Sequence, residues 1–331
     1  MINNHFDPSQ FENLPEEAQI EFELAYITDL MEMENYDAAL DWACQHHDYL
    51  EHPEIMDRVV DVYETLIDMG NPIAALNLGS MYYNGTYLER DFKEAARLYQ
   101  IAADAGEEEA ICNLGYCYYY GRHQEVDYRK AYEYWTLGAL LFQNPNCMYK
   151  LGDMYKNGYY VEKDYEKYKS IIRELYQKIE SEDRLFEPVP QILIRMARIL
   201  TEEGQVGEAV ELYWHAKYFL AQRLQINAFF GDLNNMKWLI EELYQLIEFD
   251  RDDFDFYDLY ELLRRPCQAV FQYNGKKHRV SAVEENGECV ICFDDKWYRT
   301  RDDFFQNASI GNEKLTAIYD DLYCFEVVSW N

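Results

Sequence analysis

The segment LGSMYYNG at residues 78–85 returns as LGYCYYYG at 114–121, after 36 residues, and as LGDMYKNG at 151–158, after 37. A chain that repeats one spaced motif at this interval stacks copies of a single supersecondary unit, because one copy alone cannot bury its own apolar face. Ala74, Leu78 and Tyr82 lie four apart, as do Ala110, Leu114 and Tyr118, so each set forms one stripe on a helix. Gly79, Gly115 and Gly152 follow the Leu, where a missing side chain lets a neighbouring helix come close. Gly85, Gly121 and Gly158 stand three residues after the Tyr and suit a left-handed helix C-terminus. Six residues on come Asp91, Asp127 and Asp164, each placed to cap a second helix. Ala95 and Ala131 supply a small residue at the crossing, where the third copy has Tyr168. Each copy is predicted as helix, turn, helix.

The pattern A-x-x-x-L-G-x-x-Y-x-x-G, then D-x-x-K-A and a helix ending in AADAG, resembles the Sel-one-like repeat. That repeat is a relative of the tetratricopeptide repeat, whose period is about 34 residues. Copy one (74–106) has Glu94 for the usual Lys and Leu98 for the usual Trp. Copy two (110–142) keeps Asp127, Lys130, Ala131 and Trp135 but reads Gly138-Ala139 and ends without the Gly. Copy three (147–176) has Cys147 for Ala and lacks both small residues of its second helix, as a terminal, capping copy would. The resemblance implies that the first helix of each pair lines a concave surface and contacts ligands through its non-signature positions. Those are Leu76, Ser80, Tyr83 and Asn84 in copy one, and Cys112, Tyr116, Tyr119 and Tyr120 in copy two. Copy three contributes Tyr149, Asp153, Lys156 and Asn157. Only Lys156 among them is basic, which disfavours a clamp for a peptide's terminal carboxylate.

The flanks read as further helix pairs without the signature. Helices are expected over 15–33, 34–47, 53–69, 191–204, 205–224, 232–249 and 254–264, with a break at 181–190. After Pro266 the hydrophobic period changes to two, with Asn-Gly turns at 274–275 and 286–287, a hairpin signature. KLTAIYDDLYCFEVV reads as two more strands and TRDDFFQNA as a short helix. The fold class expected is mainly α: an α-α superhelix over 1–265 with a small antiparallel β domain at 266–331. The helical part divides into acidic helices (1–70), Sel-one-like repeats (71–180) and divergent hairpins (181–265). No family is recognised for the β domain.

The formal charge of −32 is concentrated at one end. Residues 1–70 hold 18 Asp and Glu against one basic residue, Arg58. Phosphate backbones and anionic membranes are repelled by such a surface, so neither a nucleic-acid nor a membrane partner is expected, while a basic protein is. Glu16, Glu17, Glu21 and Glu23 are the candidate acidic docking surface. No apolar run approaches the roughly 18 residues of a membrane span, and the N-terminus lacks the basic and apolar regions of a secretory signal. Eight scattered Cys in apolar surroundings fit reduced, buried thiols, so a cytoplasmic location is expected.

Three clusters invite metal. Cys289 and Cys292 flank Val290-Ile291 within a predicted strand, which points the thiols to opposite faces. His46, His47 and His52 close a helix, where histidine is an ordinary partner of the helix dipole. The acidic run at 250–258 lacks the Gly and distant Glu of a calcium loop. No metal and no cofactor is therefore expected. Neither a phosphate-cradling loop nor a Ser/His/Asp order appears, so no enzyme is expected. A helical-toroid glycosidase is the remote alternative, but needs more helices than 265 residues provide.

The resemblance implies a protein-interaction scaffold or adaptor, a kind common in bacteria, that binds a protein or peptide on its concave helical face. The acidic N-terminal helices keep an alternative open, an immunity-type inhibitor neutralising a basic toxin or nuclease.

Overall fold

The three repeats form as the glycine and aspartate positions require. A computed structural model describes residues 15–47, 49–182, 188–226, 230–248, 254–264, 266–285 and 288–330. Copy one is α4 (Pro72–Asn84) and α5 (Phe92–Asp104), and copy two is α6 (Glu108–Tyr120) and α7 (Tyr128–Phe142). Copy three opens with α8 (Pro145–Asn157). The first helices end at Gly85, Gly121 and Gly158, with φ of 70°, 61° and 73°, a conformation in which a Cβ is strained. Their N–H groups donate to the carbonyls of Met81, Cys117 and Met154. Asp91 accepts from the N–H groups of Lys93 and Glu94, Asp127 from Lys130, and Asp164 from Lys167. The N–H groups of Asp91 and Asp127 donate back to the carbonyls of Tyr82 and Tyr118 at 3.0 Å. The turn is thus closed on the signature Tyr, which accounts for the fixed spacing. Asn71 and Asn144, each before a Pro, also cap first helices by accepting from Ala74 and Cys147.

The chain divides into two compact units, Met1–Lys163 and Asp164–Asn331. In the first unit, α1 (Glu16–Glu32), α2 (Tyr36–His46) and α3 (Pro53–Asp68) precede the repeats. Each helix from α1 to α8 packs against the next in chain order, the contact pattern of a stacked repeat. The buried core runs through the stack. Trp42, Met56, Val59, Tyr63, Leu66, Leu78 and Leu98 form one cluster. Tyr99, Leu114, Cys117, Ala131, Trp135 and Met154 belong to the next.

In the second unit, α9 (Tyr165–Glu182), α10 (Val189–Glu202), α11 (Val206–Ile226) and α12 (Phe230–Leu246) pack in sequence. The Arg198 guanidinium of α10 donates twice to the Glu242 carboxylate of α12 at 2.7 Å, and Tyr213 of α11 donates to the same carboxylate at 2.7 Å. After the single turn α13 (Leu259–Leu262) come β1 (Cys267–Tyr273), β2 (Lys276–Glu285), β3 (Glu288–Phe293) and β4 (Lys296–Tyr298). The helix α14 (Arg301–Asn307) and a small ribbon, β5 (Ser309–Ile310) and β6 (Glu313–Lys314), lead to β7 (Tyr323–Trp330). The antiparallel sheet has the order β4-β3-β2-β1-β7. The β1–β2 turn is Asn274-Gly275, both at positive φ, as the sequence requires; residues 286–287 lie outside the described residues.

Three segments differ from expectation. Residues 254–264 form only α13 instead of a longer helix. The Asp255 carboxylate accepts from the N–H groups of Tyr257 and Asp258, and the Asp258 carboxylate from that of Asp255. Side chains thus take the donors that a helix start would place elsewhere. Residues 315–330 hold one strand and not two, because Leu315, Thr316 and Ile318 are buried within turns and a 3₁₀ segment follows at Tyr319–Asp321. A further tight turn, Asp294-Asp295, joins β3 to β4 with both residues at positive φ. The Asp294 carboxylate holds it by accepting from the Arg279 N–H and pairing with His278 Nδ1.

Candidate functional site

Residues four apart on a helix share a face, so Tyr116 and Tyr120 of α6 present their rings together, stacked within 3° of parallel. Tyr119 packs edge-on against Tyr120 and beside Trp135 of α7. Tyr149 of α8 meets Tyr116 hydroxyl to hydroxyl. These residues converge on Lys150, which is 4% exposed. The ammonium lies 4.4 Å from the centre of the Tyr119 ring and 5.1–5.3 Å from those of Tyr116, Tyr120 and Trp135, within cation–π range of all four. It donates to Tyr120 Oη at 3.3 Å, and Asp153 Oδ2 lies 3.8 Å away. Burial pushes the hydroxyls of Tyr116 and Tyr119 up in pKa, and the Asp153 carboxylate adds to the shift at Tyr119.

Trp135 is fully buried and its indole N–H donates to the Cys112 carbonyl at 3.2 Å. It stands over Gly115: a Cβ there would fall 2.1 Å from Trp135 Nε1. The signature glycine and the Trp are thus one joint, and the joint forms the floor of the aromatic cluster. At Gly79 the equivalent space is looser, with the Tyr99 ring edge at 3.0 Å and Leu98 Cβ at 3.2 Å.

The remaining predicted residues fall in different places. Tyr83 packs edge-on against Phe92, and burial raises its hydroxyl to about 12. The Arg122 guanidinium sits 5.0 Å from the Phe92 ring centre and 5.3 Å from that of Tyr120, which links Tyr83 to the cluster through a continuous track. Asn84 is half-buried at the end of α4, its carbonyl accepting from Arg90. Lys156 is half-buried on the last turn of α8. Of the acidic candidates, Glu17 and Glu21 are exposed on α1, while the Glu16 side chain lies outside the described residues. Glu23 accepts from the Trp42 indole at 2.7 Å and approaches His46 at 3.6 Å, so it ties α1 to α2. A further exposed acidic row lies on α3, at Glu54, Asp57, Asp61, Glu64 and Asp68.

Sequence reasoning missed Lys150, Arg122 and Trp135 as site residues. A signal for Lys150 was present: it directly precedes the signature Leu, where copies one and two have Asn77 and Asn113. Cys289 and Cys292 both lie on β3, three residues apart and so on opposite faces. His46 and His47 bind the carbonyls of Trp42 and Cys44 through Nδ1. Among the described residues, no helix is long and apolar enough to cross a membrane.

The Sel1 repeat family matches residues 72–107, 108–141 and 145–167. A comparison with curated proteins finds no match. Among solved structures, the chain is similar to a Sel1 repeat protein from Oxalobacter formigenes at 18% identity and a TM-score of 0.44, over 62% of this chain and 84% of that one. It is similar to c5321, a protective antigen of uropathogenic Escherichia coli with an SLR fold, at 18% identity and a TM-score of 0.39, over 69% and 61%. A Sel1 repeat protein from Klebsiella pneumoniae matches at 19% identity and a TM-score of 0.29, over 52% and 92%.

Proposed function

From the three Sel1 repeats carried by residues 72–167, we infer that the protein is an interaction scaffold that docks a protein partner on the face of α4, α6 and α8. Repeats of this kind generally mediate protein–protein interaction. The observation that carries the reading is the aromatic track from Tyr83 through Phe92 and Arg122 to Tyr120, a residue that is 47% exposed. Tyrosine and arginine are the residues that anchor interfaces, since both combine broad apolar contact with a polar tip at little entropic cost. Tyr120→Ala removes the exposed ring without opening the buried floor. Captured partner should be lost from the Tyr120→Ala protein while its Tm stays within a few degrees of the parent. Undiminished capture by that variant overturns the assignment.

A second reading, a mask for a basic toxin or nuclease, is supported by the exposed carboxylates of α3. Its association rate should fall steeply as salt shortens the Debye length toward roughly 8 Å. A rate indifferent to salt excludes it.

A further inference from the structure

The end of α7 departs from the repeat in a way that the stacked core does not use. Where copy one closes its second helix on Asp104, Ala105 and Gly106, copy two has Leu140, Leu141 and Phe142. The helix α7 runs for 15 residues against 13 in α5. It ends on Gln143 at φ 54°, a left-handed conformation that is strained for a residue with a Cβ. Three large apolar side chains thus stay where copy one has a polar turn. Leu140 is 77% exposed, Leu141 64%, Leu137 41% and Phe142 38%. Leu137 and Leu140 stand on the side of α7 opposite Ala131, Trp135 and Gly138, which are buried in the stack. Together the four leave roughly 400 Å² of apolar surface in water, a patch of the size that marks interaction sites. The patch is also held in place. A Cβ at Gly138 would fall 2.4 Å from Cys147 Sγ, so α8 packs directly on the last turns of α7. The Asn144 side chain accepts from the Cys147 N–H and donates to Glu108 at 2.7 Å. Little remains to be ordered when a partner covers this surface.

We propose that the patch is a contact between two copies of the chain, α7 packing on α7 of the second copy about a twofold axis. Charge selects the occupant. At −32, two copies repel each other over most of their surfaces. Residues 134–149 carry no charged side chain, so here two copies meet without opposing carboxylates. The nearest exposed charges on α7, Arg129 and Glu133, pair with each other at 2.9 Å. A surface made for a strongly charged partner would present the opposite charge at its rim, and this one presents none. A leucine stripe is self-complementary: a twofold contact sets Leu137, Leu140 and Leu141 against the same three residues. Both copies together bury roughly 800 Å², against about 1,200 Å² for a stable interface. The dimer is therefore weak, with a dissociation constant of roughly 10–100 µM. The proposal makes no use of the face of α4, α6 and α8 and stands without the docking reading.

Sedimentation of the full chain from about 5 to about 200 µM tests it. The average mass should rise from monomer toward dimer with concentration. Added salt should tighten the association, because it screens the repulsion between acidic copies and leaves the apolar contact intact. Leu140→Glu places a carboxylate at the contact in both copies and should weaken association about tenfold or more. Leu140→Met, which keeps an apolar side chain, should retain it. Both variants alter an exposed position, so both should keep the parent Tm, read where the parent is monomeric. That comparison separates lost association from lost folding. A parent chain that stays monomeric over the whole range at high salt overturns the proposal. So does a dimer that survives Leu140→Glu combined with Leu141→Glu.

Discussion

The pairs α6/α7 and α10/α11 are both helix, short turn, helix, yet different physics holds each together. In α6/α7 the fit turns on one absent Cβ, because Gly115 lies directly under the buried Trp135 indole. In α10/α11 the turn residue Gly204 has φ +81° with nothing near its missing Cβ. There a broad apolar surface closes the pair, with Ile192, Leu193, Met196, Ala197 and Leu200 on one helix and Ala209, Leu212, Tyr213 and Ala216 on the other. An interface built on one steric coincidence leaves a motif in the sequence. An interface summed over many exchangeable aliphatic contacts leaves only a periodicity.

The largest expected effect breaks the first kind of joint. Gly115→Ala drives a methyl into a fully buried, hydrogen-bonded indole and should cost on the order of 3 kcal/mol, read from urea unfolding. A change below about 1 kcal/mol would show that Trp135 can move. Gly79→Ala sharpens the comparison within the repeats, since Tyr99 and Leu98 stand at 3.0–3.2 Å and can yield by a few tenths of an ångström. Its cost should be about half that of Gly115→Ala, in the same assay.

Glu242→Gln probes the polar tie of the second pair. It weakens the charge-assisted bonds from Arg198 and Tyr213, but the side chains are partly solvated, so about 1 kcal/mol is expected. Gly204→Ala should cost about 1 kcal/mol from left-handed strain alone, with no steric share. A larger loss would mean that the turn is tighter than its surroundings indicate.

Much of the fold was legible because its signals are local. Gly85, Gly121 and Gly158 stop helices through their own φ, Asp91, Asp127 and Asp164 start helices by bonding N–H groups two or three residues on, and Asn274-Gly275 turns a hairpin. Where local signals compete, the reading failed. Asp255 and Asp258 shorten a helix that the apolar pattern favoured, and Leu315–Ile318 bury themselves without pairing as a strand. The candidate site was half legible: Tyr116, Tyr119, Tyr120, Tyr149 and Asp153 do meet, but around a lysine not foreseen there. Glu23, read as an exposed acidic contact, is held by the Trp42 indole.

By itself, then, the sequence determined the period of the repeat, the ends of its helices and the first hairpin. Each of these follows from backbone geometry and hydrogen bonds closed within a few residues. Only the tertiary structure decided that Lys150 enters a ring of aromatic faces, that Gly115 is the seat of Trp135, and that Arg122 joins Tyr120 to Phe92. Those contacts join side chains from neighbouring helices and the turns between them, and a side chain's burial and electrostatics are set by whatever the stack brings against it.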